Sequence, residues 1–241
     1  MAVVLRKLYI IGIIGSGGKY IHREGDDFML IDDSLKEYIE KVASKSPTPG
    51  GGSVSAVSAS LGIALSSMVY NLTIGRKFYE EYTDDIKEEI QQGLSICNRL
   101  LAEYVKLIDE DTVAYDEVMK ALKMPKDTEE NRKIRNEALQ KAYINAMNVP
   151  LKLARLCGEA FTPTMLIAEY GNPNAISDAA VGAILLYAAI EGAVLNVKVN
   201  LPYIKDKELA EKARIECDEI LNKYKEVRDE VVNKVLNKIS G

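Results

Sequence analysis

Histidine is nearly absent from this chain. The 241 residues include one histidine, His22, and no tryptophan. Because Ser-His-Asp and Cys-His catalysis each require a histidine in the site, both mechanisms are excluded unless His22 itself takes part. Metal centres built from several histidines are excluded as well. Unless His22 lies in the site, proton transfer by this protein relies on carboxylates, lysine, hydroxyl groups and water.

Cysteine is also scarce. The chain has three cysteines without any Cys-x-x-Cys spacing, and they are Cys97, Cys157 and Cys217. An odd number of widely separated cysteines argues against a disulfide framework and against a structural zinc site. We therefore expect a cytoplasmic location and no bound metal.

The sequence also lacks a basic cluster and a clear membrane span. The 31 Lys+Arg and 36 Asp+Glu residues give a formal net charge of -5, so nucleic acid is not an expected partner. Residues 46–75 are uncharged, but their serines, prolines and glycine triplet predict a buried helix behind a loop. The uncharged residues 179–190 are too few to cross a bilayer. We therefore expect no membrane partner.

The N-terminal residues match no nucleotide-binding motif. Residues 3–14 are apolar and β-branched, and a glycine-rich turn follows them. A dinucleotide fingerprint here would need glycine at Tyr20, and a Walker A loop would need glycine at Ile13. The apolar run after Arg6 and Lys7 also suggests a signal peptide, but no Ala-x-Ala-like cleavage site follows it closely.

A different hypothesis is that the natural chain starts at Met29. The commonest codons for residues 23–28 give a purine-rich tract just before an ATG, as a ribosome-binding site would. The intact mass of the natively expressed protein tests this hypothesis, and a mass that retains residues 1–28 contradicts it. The predicted organisation is an N-terminal extension over residues 1–31, native or not, followed by one helical domain over residues 32–241.

From residue 32 onward the sequence predicts only helices. Capping residues mark helix starts at Ser34, Thr83, Thr128 and Ser177. We expect the fourth helix to end near Pro150, a fifth to cover residues 151–170, and a last amphipathic helix to begin near residue 207. The predicted fold class is all-α, a single-domain bundle of six to seven helices.

The first helix and the segment after it have clear patterns. Helical periodicity places Leu35, Tyr38, Ile39 and Val42 on one face, which we expect to pack on the core. The prolines and glycines of residues 47–52 then end this helix. Ser53 is the predicted N-cap of a long helix rich in small residues.

The glycine-rich segment is the strongest local signal for a ligand. Glycines let a ligand approach the backbone, and the free amide groups of a helix N-terminus attract anions or carbonyl oxygens. The alternative is a plain helix connection that needs unusual dihedral angles. Three consecutive glycines exceed what one turn requires, which favours ligand contact. The predicted binding residues here are Pro49, Gly50, Gly51, Gly52 and Ser53.

One aspartate interrupts an apolar stripe. On the helix that begins near residue 84, Asp111 lies in line with Tyr104, Ile108 and Tyr115. A carboxylate in that position is either satisfied by a neighbour or is a functional acid or base with a perturbed pKa, and we favour function. The preceding residues 109 and 110 point away from the stripe and are expected to face solvent.

Further candidates are less specific. Lys77, beside Arg76, can hold a carboxylate or promote proton transfer, although basic residues at a helix end often only complement the helix dipole. Asp178 has a ready alternative role as a capping residue. Asn196 and Asn200, four residues apart on one helical face, hint at a polar pocket.

Five motifs together resemble a known family. In order they are residues 47–53 (PTPGGGS), 72–79 (LTIGRKFY), 109–111 (DED), 149–151 (VPL) and 171–178 (GNPNAISD). In this order they resemble the formiminotetrahydrofolate cyclodeaminase / methenyltetrahydrofolate cyclohydrolase family. Its cyclodeaminase/cyclohydrolase domain is fused to a formiminotransferase in the animal enzyme and stands alone in many bacteria. The similarity covers about residues 32–205 and, more loosely, the C-terminal helix.

The resemblance implies an all-α subunit that forms a homodimer. It implies a groove for a tetrahydrofolate derivative as substrate, with no metal and no tightly bound cofactor. Two reactions occur in the family. The cyclodeaminase closes N10 onto the formimino carbon and expels ammonia, giving 5,10-methenyltetrahydrofolate. The cyclohydrolase adds water to that methenyl carbon and opens the ring to 10-formyltetrahydrofolate.

The resemblance also suggests roles for the candidate residues. Asp111 is the expected general base or proton shuttle, and Lys77 is the partner acid or the substrate anchor. The glycine loop contacts the folate, Asn174 and Asp178 form a second wall, and Arg76 helps attract the anionic folate tail.

The sequence leaves the reaction open. Without a formiminotransferase domain the cyclohydrolase is preferred over the cyclodeaminase, although separate transferases exist. A non-catalytic folate-binding or helical dimer module is the third possibility.

Overall fold

Helices account for nearly all of the regular structure. The computed structural model describes residues 29–240, so His22 and the predictions for the N-terminal extension before Met29 lie outside the described residues. Within that range no strand occurs. The seven α-helices are α1 (Leu35–Val42), α2 (Gly51–Thr73), α3 (Lys77–Glu80), α4 (Asp84–Leu122), α5 (Glu129–Tyr170), α6 (Ile176–Asn200) and α7 (Lys207–Ser240). Short 3-10 turns cover Leu30–Asp32 and Leu201–Tyr203. The predicted all-α bundle is confirmed.

Helices α2 and α6 form the centre of the bundle and run antiparallel. Small residues let them approach closely, since a Cβ on Gly62 would lie 2.9 Å from the carbonyl oxygen of Gly182. A Cβ on Gly182 would lie 2.7 Å from the carbonyl oxygen of Gly62. Helices α4 and α5 pack on this pair, and α7 covers α5 and α6. The central position of α2 explains its small residues.

One continuous helix replaces the predicted fourth and fifth helices. Helix α5 runs through Pro150 and Pro163 without a break, so the predicted end near Pro150 is wrong. Proline cannot donate to the carbonyl oxygen four residues before it, which for Pro150 is that of Ala146. The side-chain amide of Asn200 donates to this oxygen instead, at 3.1 Å. A hydrogen bond from α6 therefore replaces the one that Pro150 removes.

Helix α1 lies at the edge of the bundle and buries a single residue. Its start at Ser34 is confirmed by a capping box, in which Ser34 and Glu37 bond each other's backbone amides. Tyr38 is buried, but Leu35, Ile39 and Val42 are exposed. The expected core face is therefore wrong for these three residues, because an eight-residue helix at the edge inserts only the side chain that points directly inward.

Two helices are long and apolar enough to be candidate membrane spans. They are α2 and the segment Ile176–Tyr203, and 56% of the most apolar window of each is buried inside the domain. The central helices of a soluble bundle meet the same length and composition criterion. This finding is therefore weak support for a membrane location.

Candidate functional site

The carboxylate of Asp111 lies against the N-terminus of α2. The backbone N–H of Ser53 donates to Oδ2 of Asp111 at 3.0 Å, so an aspartate from α4 caps the first turn of α2. Helix α2 consequently begins at Gly51 with Gly50 as its N-cap, and the prediction of Ser53 as N-cap is wrong. An acceptor supplied by the tertiary structure has moved the helix start by three residues, from an N-cap at Ser53 to one at Gly50.

Gly52 makes room for this carboxylate. A Cβ at Gly52 would lie 2.0 Å from Oδ1 of Asp111 and 2.7 Å from Oδ2, far inside van der Waals contact. No side chain larger than hydrogen fits here unless Asp111 moves. The second glycine of the triplet is therefore required by a carboxylate that packs directly on the backbone.

Burial changes the acidity of Asp111. Loss of water raises the pKa of its carboxyl above the ordinary aspartate value, and the hydrogen bond from the Ser53 amide opposes part of that rise. A carboxyl with a raised pKa moves protons more readily near neutral pH than an ordinary aspartate does. The sequence-based choice of Asp111 as the candidate acid or base thus has a physical basis.

The fit between Gly52 and Asp111 leads to a stability prediction. Gly52→Ala should lower the free energy of unfolding by about 1–3 kcal/mol, because the new methyl group overpacks the carboxylate. In an Asp111→Ala background the same change should raise it by about 0.5–1 kcal/mol, since alanine is favoured over glycine in a helix once the clash is gone. Urea unfolding of the four variants measures both effects. Equal effects of Gly52→Ala in the two backgrounds would contradict the packing described here.

Tyr38 extends the hydrogen-bonded cluster. Its hydroxyl lies 3.0 Å from Oγ of Ser53, and both side chains are buried. Burial raises the pKa of Tyr38, and the nearby charges of Asp111 and Asp109 raise it further. The phenol therefore stays protonated and neutral. The sequence pattern identified Tyr38 as a core residue and contained no signal for this polar contact.

Asp109 is less exposed than the sequence suggested. Its Oδ1 accepts a hydrogen bond from the backbone N–H of Leu30 at 2.5 Å. Its Oδ2 is buried and has no hydrogen-bond partner among the described residues. The expectation of a solvent-facing Asp109 is wrong because the segment before α1 folds back over α4. The neighbouring Glu110 keeps 44% of its side chain exposed, as expected.

Asn196 reaches the same site from α6. A Cβ at Gly51 would lie 3.1 Å from Nδ2 of Asn196, so this amide packs on the first glycine of α2 as Asp111 packs on the second. The spacing of Asn196 and Asn200 hinted at a polar pocket. Only the structure shows that Asn196 faces the glycine loop and that Asn200 contacts α5.

The other predicted residues lie at the opposite end of α2. Arg76 and Lys77 are exposed just beyond its C-terminus. Asn172 bonds Thr73 and Leu72 there, which places the turn with Asn174 and Asp178 at the same end. The 23 residues of α2 span about 34 Å at 1.5 Å per residue. Within one chain, therefore, Lys77 and Asp111 do not meet.

An apolar surface connects the two ends. Helix α2 has no charged residue, and its exposed hydrophobic side chains recur every seven residues. Neighbouring α6 adds further exposed hydrophobic side chains. We call this set the α2–α6 face, and it consists of Val54, Leu61, Met68, Val181, Ile184, Leu195 and Val199. Leu61, near the middle of α2, is 55% exposed.

Metal binding and thiolate chemistry find little support among the described residues. Among residues 29–240 no three His, Cys, Asp or Glu side chains converge in a way that could hold a metal ion. The three cysteines are buried free thiols. Burial raises the pKa of Cys97 and Cys157 to about 12, so neither is a thiolate at neutral pH.

Comparison with known proteins identifies a family. The sequence pattern of the family described as formiminotransferase-cyclodeaminase matches residues 34–219. A methenyltetrahydrofolate cyclohydrolase from Methylorubrum extorquens is 35% identical over 212 residues, which are 88% of this chain and 100% of that protein. The formimidoyltransferase-cyclodeaminase of Rattus norvegicus is 34% identical over 201 residues, 83% of this chain. This chain covers 36% of the rat protein, about a third of its length.

A solved structure agrees with these relatives. The formiminotetrahydrofolate cyclodeaminase of Thermotoga maritima superposes with a TM-score of 0.70 at 30% identity. The match covers 87% of this chain and 97% of that one.

Proposed function

The chain belongs to the formiminotransferase-cyclodeaminase family, and on that premise we propose that it hydrolyses 5,10-methenyltetrahydrofolate to 10-formyltetrahydrofolate. The observation that carries the proposal is the partly desolvated Asp111 carboxylate, held against the glycine loop by the Ser53 amide. The family relationship supports it, since a relative matched over its full length is a cyclohydrolase.

The proposed chemistry needs one group that both accepts and donates a proton. Water adds to the cationic methenyl carbon between N5 and N10, and Asp111 takes the proton that the water loses. The resulting tetrahedral carbon carries a hydroxyl group. Asp111 then returns its proton to N5 as the bond from carbon to N5 breaks, and the hydroxyl proton leaves to solvent. The products are 10-formyltetrahydrofolate and one proton. These reaction steps require no metal and no tightly bound cofactor.

The alternative function is formiminotetrahydrofolate cyclodeaminase, and it is favoured by the likeness to the Thermotoga maritima structure. In that reaction N10 attacks the formimino carbon, and the departing nitrogen needs a proton to leave as ammonia. Asp111 takes the proton that N10 loses and passes it to this nitrogen. The same carboxyl with a raised pKa therefore suits either reaction.

Two absorbance assays distinguish these functions. We expect the purified protein to accelerate loss of the methenyl chromophore in water. We expect no comparable appearance of that chromophore, and no ammonia release, from 5-formiminotetrahydrofolate. The reverse pattern would establish the cyclodeaminase, and inactivity in both assays would leave only a binding module. Heat-denatured protein controls for spontaneous hydrolysis.

We also propose that the protein is a homodimer that pairs through the α2–α6 face. The named side chains are apolar and α2 carries no charged residue, so the apolar surface continues between the two ends of the helix, with the exposed Glu191 of α6 beside it. Exposed apolar patches of this kind mark association surfaces. A two-fold axis near Leu61 would bury the face against itself in an isologous contact.

Such a dimer would complete the site. A two-fold axis across the middle of α2 reverses the direction of the helix in the second copy. Lys77 of the partner subunit would then lie near Asp111, although about 34 Å of helix separates the two groups within one chain. Asn174 and Asp178 of the partner subunit would form the second wall. The proposed dimer therefore accounts for predicted residues at both ends of α2.

The basic residues would then have a defined task. The net charge of -5 gives no general attraction for an anionic folate tail. Arg76 and Lys77 are exposed and can pair with the tail carboxylates locally. We further propose a cytoplasmic location, consistent with three unpaired cysteines, and no nucleic-acid or membrane partner.

A further inference from the structure

Asn196 occupies a defined position beside the glycine loop. Gly51 and Gly52 are consecutive in the first turn of α2. Cβ atoms at these two positions would point in directions about 100° apart around the helix axis. Gly51 faces the amide of Asn196 and Gly52 faces the carboxylate of Asp111. A molecule that rests on this glycine step therefore meets an amide on one side and a carboxylate on the other.

One hydrogen bond fixes the orientation of the Asn196 side chain and leaves most of its hydrogen-bonding capacity unused. Its Nδ2 donates one hydrogen to the carbonyl oxygen of Gly192 at 2.8 Å. A carbonyl oxygen needs a donor, so this contact identifies which side-chain atom is nitrogen. Among the described residues nothing donates to Oδ1, and the second hydrogen of Nδ2 has no acceptor. Asn196 thus leaves its acceptor oxygen and one donor hydrogen available to a ligand.

Asn200, one turn further along α6, shows the contrast. Both hydrogens of its amide are used, one on the carbonyl oxygen of Asn196 at 2.8 Å and one on that of Ala146 at 3.1 Å. The second of these bonds satisfies the carbonyl left free by Pro150. Asn200 therefore joins α5 to α6, and it serves as a structural control for its neighbour.

We infer that Asn196 recognises the lactam edge of the pterin ring of the substrate. That edge carries a ring N–H next to a carbonyl oxygen, which is the complement of a carboxamide that offers Oδ1 beside Nδ2–H. Two parallel hydrogen bonds result, as between asparagine side chains and adenine. The amide in the folate tail is trans, so its N–H and carbonyl point in opposite directions and cannot pair in this way. Asn196 thus selects the ring and places the methenyl carbon toward Asp111.

The inference rests on the proposed function, and the test distinguishes a failure of the inference from a failure of the proposed function. Binding of tetrahydrofolate and of p-aminobenzoylglutamate, which has the tail without the pterin, is measured by calorimetry. Asn196→Ala should weaken tetrahydrofolate binding by about tenfold to a hundredfold, because two hydrogen bonds are lost. Its affinity for p-aminobenzoylglutamate should stay within about twofold of wild type. In turnover assays KM should rise by far more than kcat falls.

Two further variants complete the design. Asn196→Asp keeps an acceptor but loses the donor and adds a charge, so it should also weaken tetrahydrofolate binding selectively. Asn200→Ala should lower the thermal midpoint while leaving the ratio of the two affinities unchanged. An unchanged tetrahydrofolate affinity in Asn196→Ala and Asn196→Asp, or an equal loss for both ligands, overturns the inference. If the wild-type protein binds neither ligand, the proposed function fails, and the inference fails with it.

Discussion

Asp111→Asn should lower kcat for methenyltetrahydrofolate hydrolysis by about 10²–10⁴-fold, the range that a positioned general base contributes. Asparagine keeps an oxygen that can accept from the Ser53 amide, so the N-terminus of α2 stays capped. It cannot take a proton from water or return one to N5. Steady-state absorbance assays at saturating substrate measure the effect.

Stability measurements separate this loss from unfolding. The folded-state pKa of Asp111 is raised above its unfolded value, so ionising the carboxyl disfavours the folded state. Its contribution to stability therefore falls as pH rises from the unfolded to the folded pKa, and it stays lower at neutral pH. Asp111→Asn should accordingly be at least as stable as wild type at pH 7. A large drop in the thermal midpoint would contradict this account.

The pH dependence of the rate provides a second check. The base form of Asp111 is the active one, so kcat should fall as pH decreases through its pKa. The midpoint should lie above about 3.9, the value for an ordinary aspartate. This acid limb should be absent from Asp111→Asn. Glu110→Gln, the same chemical change on a half-exposed neighbour, is the matched control and should retain both rate and acid limb.

Mixing two inactive variants should restore activity. We expect Lys77→Ala to reduce turnover about a hundredfold, since it removes a positioning charge from the site. If each site joins Asp111 of one subunit to Lys77 of the other, a mixed dimer of Asp111→Asn and Lys77→Ala contains one fully native site. Random pairing makes half of the dimers mixed, and each has one native site of two, so activity should return to about a quarter of wild type. Co-expression with two different affinity tags and purification on both isolates the mixed dimer, which should show about half of wild-type activity.

The matched control combines two changes at the same end of α2. Gly52→Ala should inactivate its own site by displacing the Asp111 carboxylate. A mixed dimer of Asp111→Asn and Gly52→Ala then has no native site in the proposed arrangement and should stay inactive. Leu61→Arg, which places a charge in the α2–α6 face, should yield monomers by light scattering and abolish the rescue. Failure of the Asp111→Asn and Lys77→Ala pair to recover activity in an isolated mixed dimer would refute the shared site.

Much of the candidate site could be predicted because its residues can be recognised from local sequence patterns. Asp111 stood out since it interrupts an apolar stripe, and the structure places it on the glycine loop that the sequence also selected. The resemblance to the family, and the family itself, are confirmed by the match over residues 34–219. The burial of Asp109 was missed because it depends on the segment before α1, which reaches α4 from 79 residues away in sequence.

The helix boundaries also differ according to whether they depend on local residues or on other helices. Ser34 and Thr128 were predicted as N-caps, and both are confirmed, because each side-chain oxygen accepts a hydrogen bond from the backbone amide three residues on. Ser53 was the wrong N-cap, and Pro150 the wrong helix end, because side chains from other helices supply the missing hydrogen bonds there. Ser177 was also a wrong N-cap, since α6 begins at Ile176 with Ala175 as its N-cap.

The amino-acid sequence by itself therefore determined the all-α class, most helix starts and the candidate residues. These follow from periodicity and capping, which act over a few neighbouring residues. Only the tertiary structure decided which candidates meet. It packs the side chains of Asn196 and Asp111 against the consecutive glycines Gly51 and Gly52. Lys77 lies at the far end of α2. Helical phase defines the direction of a side chain around its own axis, whereas its neighbours depend on how whole helices pack.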